Sequence, residues 1–160
     1  MKLLTNLFSA LLLLGFHAHG DAQTAPPPAD SKAAYNADYA KQLGADKMGM
    51  RHYVMVILKT GPNKMPAGKA RDEMFAGHFA NINRLAAEGK LIVAGPFDGV
   101  DGWRGVFVFA VAEIAEAKAL TETDPVLKQG EMIAEYHKWY GSAAMMAIPG
   151  IHQQIAETGF

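Results

Sequence analysis

Residues 75–97 read FAGHFANINRLAAEGKLIVAGPF: a helix, a break at Gly89, then a short apolar strand over residues 91–94 that ends on Gly95-Pro96. At 100° per residue, Met74, Phe75, His78, Phe79, Ile82, Leu85 and Ala86 share one side of the helix, with Arg84, Ala87 and Glu88 opposite. His78 is the one ionisable group on that stripe, so it points at whatever the helix packs against. An imidazole aimed into a core is either a structural histidine bonded to a backbone carbonyl or a catalytic one. Leaving it without any partner would cost about 1–3 kcal/mol, so a partner is expected in both cases.

Working outward from this stretch, residues 52–58 (HYVMVIL) are β-rich without strict alternation, the pattern of a central strand buried on both faces. Residues 60–68 form a loop punctuated by Gly61-Pro62, Pro66 and Gly68, and the helix then runs from about residue 70 to 88. Beyond the short strand, Asp98-Gly99 and Asp101-Gly102 signal turns, and residues 103–111 (WRGVFVFAV) form a third strand. These glycines precede a strand rather than a helix, so they make no phosphate loop. A second helix spans residues 113–121, with Glu113 and Glu116 near its positive end. Residues 130–140 (GEMIAEYHKWY) form a fourth strand. The order β-α-β-β-α-β predicts an α+β, ferredoxin-like domain with both helices on one face of a four-stranded antiparallel sheet. Such a sheet leaves its second face bare, which predicts a homodimer that buries it.

Half of the 160 residues are hydrophobic and the formal net charge is -1, which suits one domain large enough for its own core. The absence of a basic cluster argues against nucleic acid as a partner. With no cysteine there is neither a disulfide framework nor a thiolate metal site. Lys2 and the apolar run of residues 7–16 read as a signal peptide, too short to span a bilayer. Small residues place cleavage near Ala22, so the mature chain is expected to be exported, periplasmic and not membrane-bound. Residues 23–50 then form a proline-rich spacer and a short helix, capped by Ser31 and ended by Gly44, whose Tyr35 and Tyr39 must dock on the domain. The domain proper is residues 51–140. The tail, residues 141–160, is apolar early, breaks at Pro149-Gly150 and ends polar.

The element order, together with AGHFANINRLAAEGKLIVAGPF, WRGVFVF, TDPVLKQG and a strand ending in WYGSAA, resembles the YciI-like (YCII-related) family. That resemblance implies a dimeric α/β barrel, similar in fold to muconolactone isomerase, over about residues 51–139. It also implies a pocket between sheet and helices that carries a paired His and Asp; some members resemble lyases or dehydrochlorinases acting on chlorinated hydroquinones. On this chain the pair would be His78 and Asp124, acting without a cofactor on a small aromatic or lactone-like molecule. Gly95 and Pro96 of the Ala-Gly-Pro motif, Arg104 and Tyr136 are the candidate substrate contacts. Asp124 precedes Pro125, so it also reads as a helix N-cap, a role that can coexist with one toward His78. Arg84 is expected to be solvated or at an interface. His52 and His137, without a carboxylate at ligand spacing, make a poor metal site, and none is expected. The alternative to an enzyme is a non-catalytic module for ligand binding or assembly.

Overall fold

The computed structural model describes residues 34–157, and the chain from Tyr35 onward forms one compact unit. The expected leader, the spacer and the Ser31 cap lie outside the described residues. Four strands, β1 (Met50–Thr60), β2 (Leu91–Pro96), β3 (Trp103–Phe109) and β4 (Met132–Ser142), form one sheet in the order β2-β3-β1-β4. Every neighbouring pair is antiparallel. This is the expected ferredoxin-like arrangement. The helices are α1 (Ala37–Gln42), α2 (Lys69–Ala87), α3 (Ile114–Thr121), α4 (Pro125–Lys128) and α5 (Ile148–Ile155).

Strand β1 explains its own composition. Val54, Val56 and Leu58 pack with Phe107 and Phe109 of β3 against Met74, Ile82 and Leu85 of α2, Ala117 of α3 and Val126 of α4. The alternate residues Tyr53 and Met55 face the other side, with Ile92, Val108 and Trp139. Both faces are apolar because both are covered. β1 runs beyond both of its expected ends, and β4 starts and stops two residues later than expected, because their ladder runs from Met50↔Ser142 to Thr60↔Met132; β3 stops at Phe109, short of the expected residue 111. Gly95 and Pro96 stay within β2, an edge strand, where a proline at the end removes no needed ladder bond.

The outer face is not left entirely bare. A 3₁₀ segment, Ala143–Ala147, places Met145 and Met146 over Tyr53, Ile92 and Val108, and α5 then reaches β2. Tyr53 anchors the start of this tail by donating its hydroxyl proton to the Ser142 carbonyl at 2.9 Å. Pro149-Gly150 does not break the tail as expected. Proline in the first turn of α5 loses no helical hydrogen bond, so the pair opens the helix instead.

Helix α1 departs from expectation in what holds it. Tyr35 and Tyr39 are exposed (82% and 48%) rather than docked. Asn36 caps the helix by accepting the Tyr39 N–H at 3.0 Å, and Gly44 ends it in the left-handed region (φ 68°). Polar ties fix the turn between α1 and β1: Arg51 Nη1 donates to the Leu43 carbonyl at 3.0 Å, and the Tyr140 hydroxyl donates to Asp46. His52 lies opposite Tyr140 on the helix-side face, whereas His137 lies opposite Met55 on the other, so the two histidines cannot converge.

The loop between β1 and α2 is pinned by a residue that sequence reading did not single out. Glu131 is 1% exposed; its Oε2 accepts the Met65 N–H at 2.6 Å and its Oε1 accepts from Arg71 Nη2 at 2.7 Å. Gly61 donates its N–H to the Glu131 carbonyl at 2.8 Å, so closely that a Cβ there would lie 2.1 Å from the Gly130 oxygen. The Met65 N–H and the Arg71 guanidinium hold the Glu131 carboxyl below its usual value of 4.5, against burial that pushes it up. A carboxyl whose pKa falls on folding adds stability that is complete above its unfolded value and vanishes as pH drops through the folded one. Denaturant titration of Glu131→Gln should therefore show a loss of about 2 kcal/mol near neutral pH. The gap from the parent protein should close on acidification; a pH-independent gap would mean that the charge does not hold the loop. Gly61→Ala should cost about 1–3 kcal/mol in the same titration, because the overlap is with backbone.

Candidate functional site

His78 comes from the middle of α2 and Asp124 from the corner between α3 and α4. Asp124 sits in extended backbone just before Pro125, and its Oδ1 accepts the Val126 N–H at 3.1 Å, as an N-cap does. Its Oδ2 lies 2.7 Å from His78 Nδ1. Both readings of Asp124 therefore hold together, because a carboxylate has two oxygens to give. Asp124 is 0% exposed and His78 7%.

Local chemistry brings the two elements this close. Gly77, the residue before His78, faces Pro125: a Cβ there would lie 2.9 Å from the proline Cγ. Its missing side chain lets α4 rest on α2. On the same corner, Thr123 donates its hydroxyl to Asn81 Oδ1 at 2.7 Å, and Arg84 Nη2 donates to Asn81 Oδ1 at 2.8 Å and to Thr123 Oγ1 at 3.1 Å. Arg84 is thus neither simply solvated nor free. It clamps the residue next to Asp124.

An ionised carboxylate only accepts, so the proton between the pair belongs to His78 Nδ1, and the basic lone pair falls to Nε2. Among the described residues Nε2 makes no hydrogen bond. The imidazole borders a cavity of about 220 Å³ walled by Leu58, Phe75, Phe79, Phe107 and Met132, with Gly95, Pro96 and Arg104 along its β2–β3 side. Aromatic rings surround the histidine: Phe75 stands edge-on at 6.1 Å, and Phe79 and Phe107 lie at 5.5 and 6.0 Å.

Of the residues named from sequence, His78, Gly95, Pro96 and Arg104 meet at this cavity, and Asp124 stands behind His78. Tyr136 does not join them. It is on the helix-side face, opposite Val56, but β4 is the sheet edge beneath α3, and there its hydroxyl lies 2.6 Å from Thr121 Oγ1. Arg71 and Glu131 were missed. No local pattern marks them, because their pairing joins residues 60 positions apart.

Two known proteins are similar to this chain. The protein YjpA of Bacillus subtilis (strain 168), itself described as uncharacterized, is 29% identical over 90 residues, 56% of this chain and 95% of its own. Among solved structures, 5-chloro-2-hydroxyhydroquinone dehydrochlorinase (TftG) from Burkholderia phenoliruptrix AC1100, in complex with 2,5-dihydroxybenzoquinone, is similar at 22% identity. That match covers 54% of this chain and 92% of the other, with a TM-score of 0.42. The YCII-related domain matches residues 52–139, more than half of the sequence and all but the outer ends of β1 and β4 in the sheet-and-helix unit that carries His78 and Asp124, so the chain belongs to the YCII-related domain family.

Proposed function

We propose that this protein is a cofactor-free acid/base enzyme, a lyase or isomerase acting on a small aromatic or lactone-like molecule. The observation that carries the reading is the orientation of His78. Asp124 holds Nδ1 at 2.7 Å, Nε2 makes no hydrogen bond among the described residues, and His78 lines an apolar cavity. In such a site Nε2 takes a proton from a carbon next to a carbonyl, or from an aromatic hydroxyl, and Asp124 stabilises the imidazolium that forms. Returning that proton to a different atom isomerises the substrate. Expelling a leaving group from the adjacent carbon, with the electron pair of the broken C–H bond forming the new double bond, makes the enzyme a lyase. The volume fits: an engineered apolar cavity of about 150 Å³ holds benzene, so 220 Å³ accommodates one substituted ring. The backbone of Gly95 and Pro96 and the Arg104 side chain supply the polar contacts on one wall.

Two further parts of the reading concern the whole molecule. The protein is exported to the periplasm after cleavage near Ala22, a proposal that rests on the composition of residues 1–22. It functions as a homodimer through the outer sheet face, where Met55, Val93, Val106 and Trp139 are only partly buried. Light scattering at micromolar concentration should give twice the chain mass; a monomer mass would reject the dimer.

The activity is tested by screening small aromatic and lactone compounds for stabilisation of the protein against heat. The hits are then followed by NMR in deuterated water for proton exchange or turnover. His78→Ala should lower turnover by about 10²–10⁴-fold while the dimer persists. Asp124→Asn keeps an Oδ1 cap on α4 but reverses the preferred tautomer, and should lower turnover with little change in melting temperature. Ligands that bind without any exchange in the parent protein would make this a binding module instead.

A further inference from the structure

Building on the acid/base reading, we infer that the cavity selects anionic molecules, single rings bearing a carboxylate or phenolate oxygen, and that Arg104 is the residue that holds that oxygen. The first observation is backbone geometry. Leu58 pairs with Gly105 and Lys59 with Trp103, so Arg104 is an extra residue in β3 with no partner on β1. A bulge of this kind re-aims one side chain against the alternation of its strand. Here it turns Arg104 to the helix side, where the residue lines the same cavity as His78.

The second observation is a surplus of donors. Beside the cavity, next to its lining residue Met132, lies the Glu131 carboxylate, and both of its oxygens are engaged, by the Met65 N–H and by Arg71 Nη2. Arg71 lies over the Phe75 ring at 4.7 Å, and its Nε is buried without a partner. Arg104 adds its charge to those holding the Glu131 carboxyl low, yet its side chain makes no hydrogen bond or ion pair among the described residues. Arg71 thus takes up the Glu131 carboxylate, and the Arg104 guanidinium is left without a bonded acceptor among the described residues, beside walls that screen poorly. A neutral ring offers the Arg104 guanidinium no charged partner; an anionic one supplies it. The same charge favours the enolate that proton abstraction by His78 creates.

The probes are benzoate and its neutral isostere benzamide, titrated calorimetrically into the parent protein, Arg104→Gln and Arg104→Lys, each checked for an unchanged melting temperature. Benzoate should bind the parent protein more tightly than benzamide and weaken with added salt. Arg104→Gln should weaken benzoate by about tenfold or more, and Arg104→Lys should restore part of that loss. Equal binding of the two probes, benzoate binding indifferent to Arg104→Gln, or no binding of benzoate at millimolar concentration would each overturn the inference. His78→Ala separates this outcome from that of the acid/base reading. Benzoate binding that survives in His78→Ala, with no exchange-active compound in the screen, supports the anion site while rejecting catalysis. His78-dependent turnover of neutral compounds only would do the reverse.

Discussion

The structure turns on the Asp124 carboxylate, which is fully buried and divides its two oxygens between two elements. A carboxylate withdrawn from water must be matched by donors, or its desolvation would unfold the corner that holds it. Here one oxygen takes the first turn of α4 and the other takes His78 of α2. The same carboxylate that stops α4 from fraying also sets which nitrogen of His78 is basic. Helix capping and the bond to His78 are joined in one group, so a side chain at position 124 without an acceptor oxygen would disturb the helix as well as His78.

A second buried carboxylate repeats the arrangement one step further along the chain. Asp124 and Glu131 flank α4 seven residues apart, and their partners His78 and Arg71 are seven apart on α2, two turns along the same side. The short helix α4 is thus fastened to α2 at both ends by charged or titratable pairs, with Gly77 against Pro125 between them. The site's cavity lies between α2 and the sheet, chiefly over β2 and β3. At its His78 end the imidazole has a bonded carboxylate; at its Arg104 end the guanidinium has no bonded acceptor among the described residues. That asymmetry gives the cavity a direction in which a polar ligand would lie.

The elements of the fold were legible because each depends on local pattern. The stripe through Met74, His78, Ile82 and Leu85 has helical period, and the unalternating β1 is buried on both faces as its composition required. The stripe was imperfect in detail. Phe79 is half exposed, and Asn81 is buried because Arg84 and Thr123 bond to it across the helix joint, which no periodicity records. Tyr136 had the right alternation but the wrong strand position: a face can be read from period two, whereas the distance across a sheet cannot. The bulge at Arg104 is similarly invisible, since it arises from how β1 and β3 pair rather than from either strand alone.

What the sequence by itself determined is the β-α-β-β-α-β order, the inward aim of His78 and the two roles open to Asp124, because hydrophobic period and capping chemistry act over a few residues. Only the tertiary structure decided that both Asp124 roles are filled at once and that Gly95, Pro96 and Arg104 share a cavity with His78. It also decided that Glu131 and Arg71 fasten the loop beside that cavity. Those facts rest on contacts between residues tens of positions apart, such as the 46 separating His78 from Asp124 and the 60 separating Arg71 from Glu131. Such contacts are set by how α4 seats on α2 over the sheet, and that seating depends on the missing side chain of Gly77 as much as on any residue that is present.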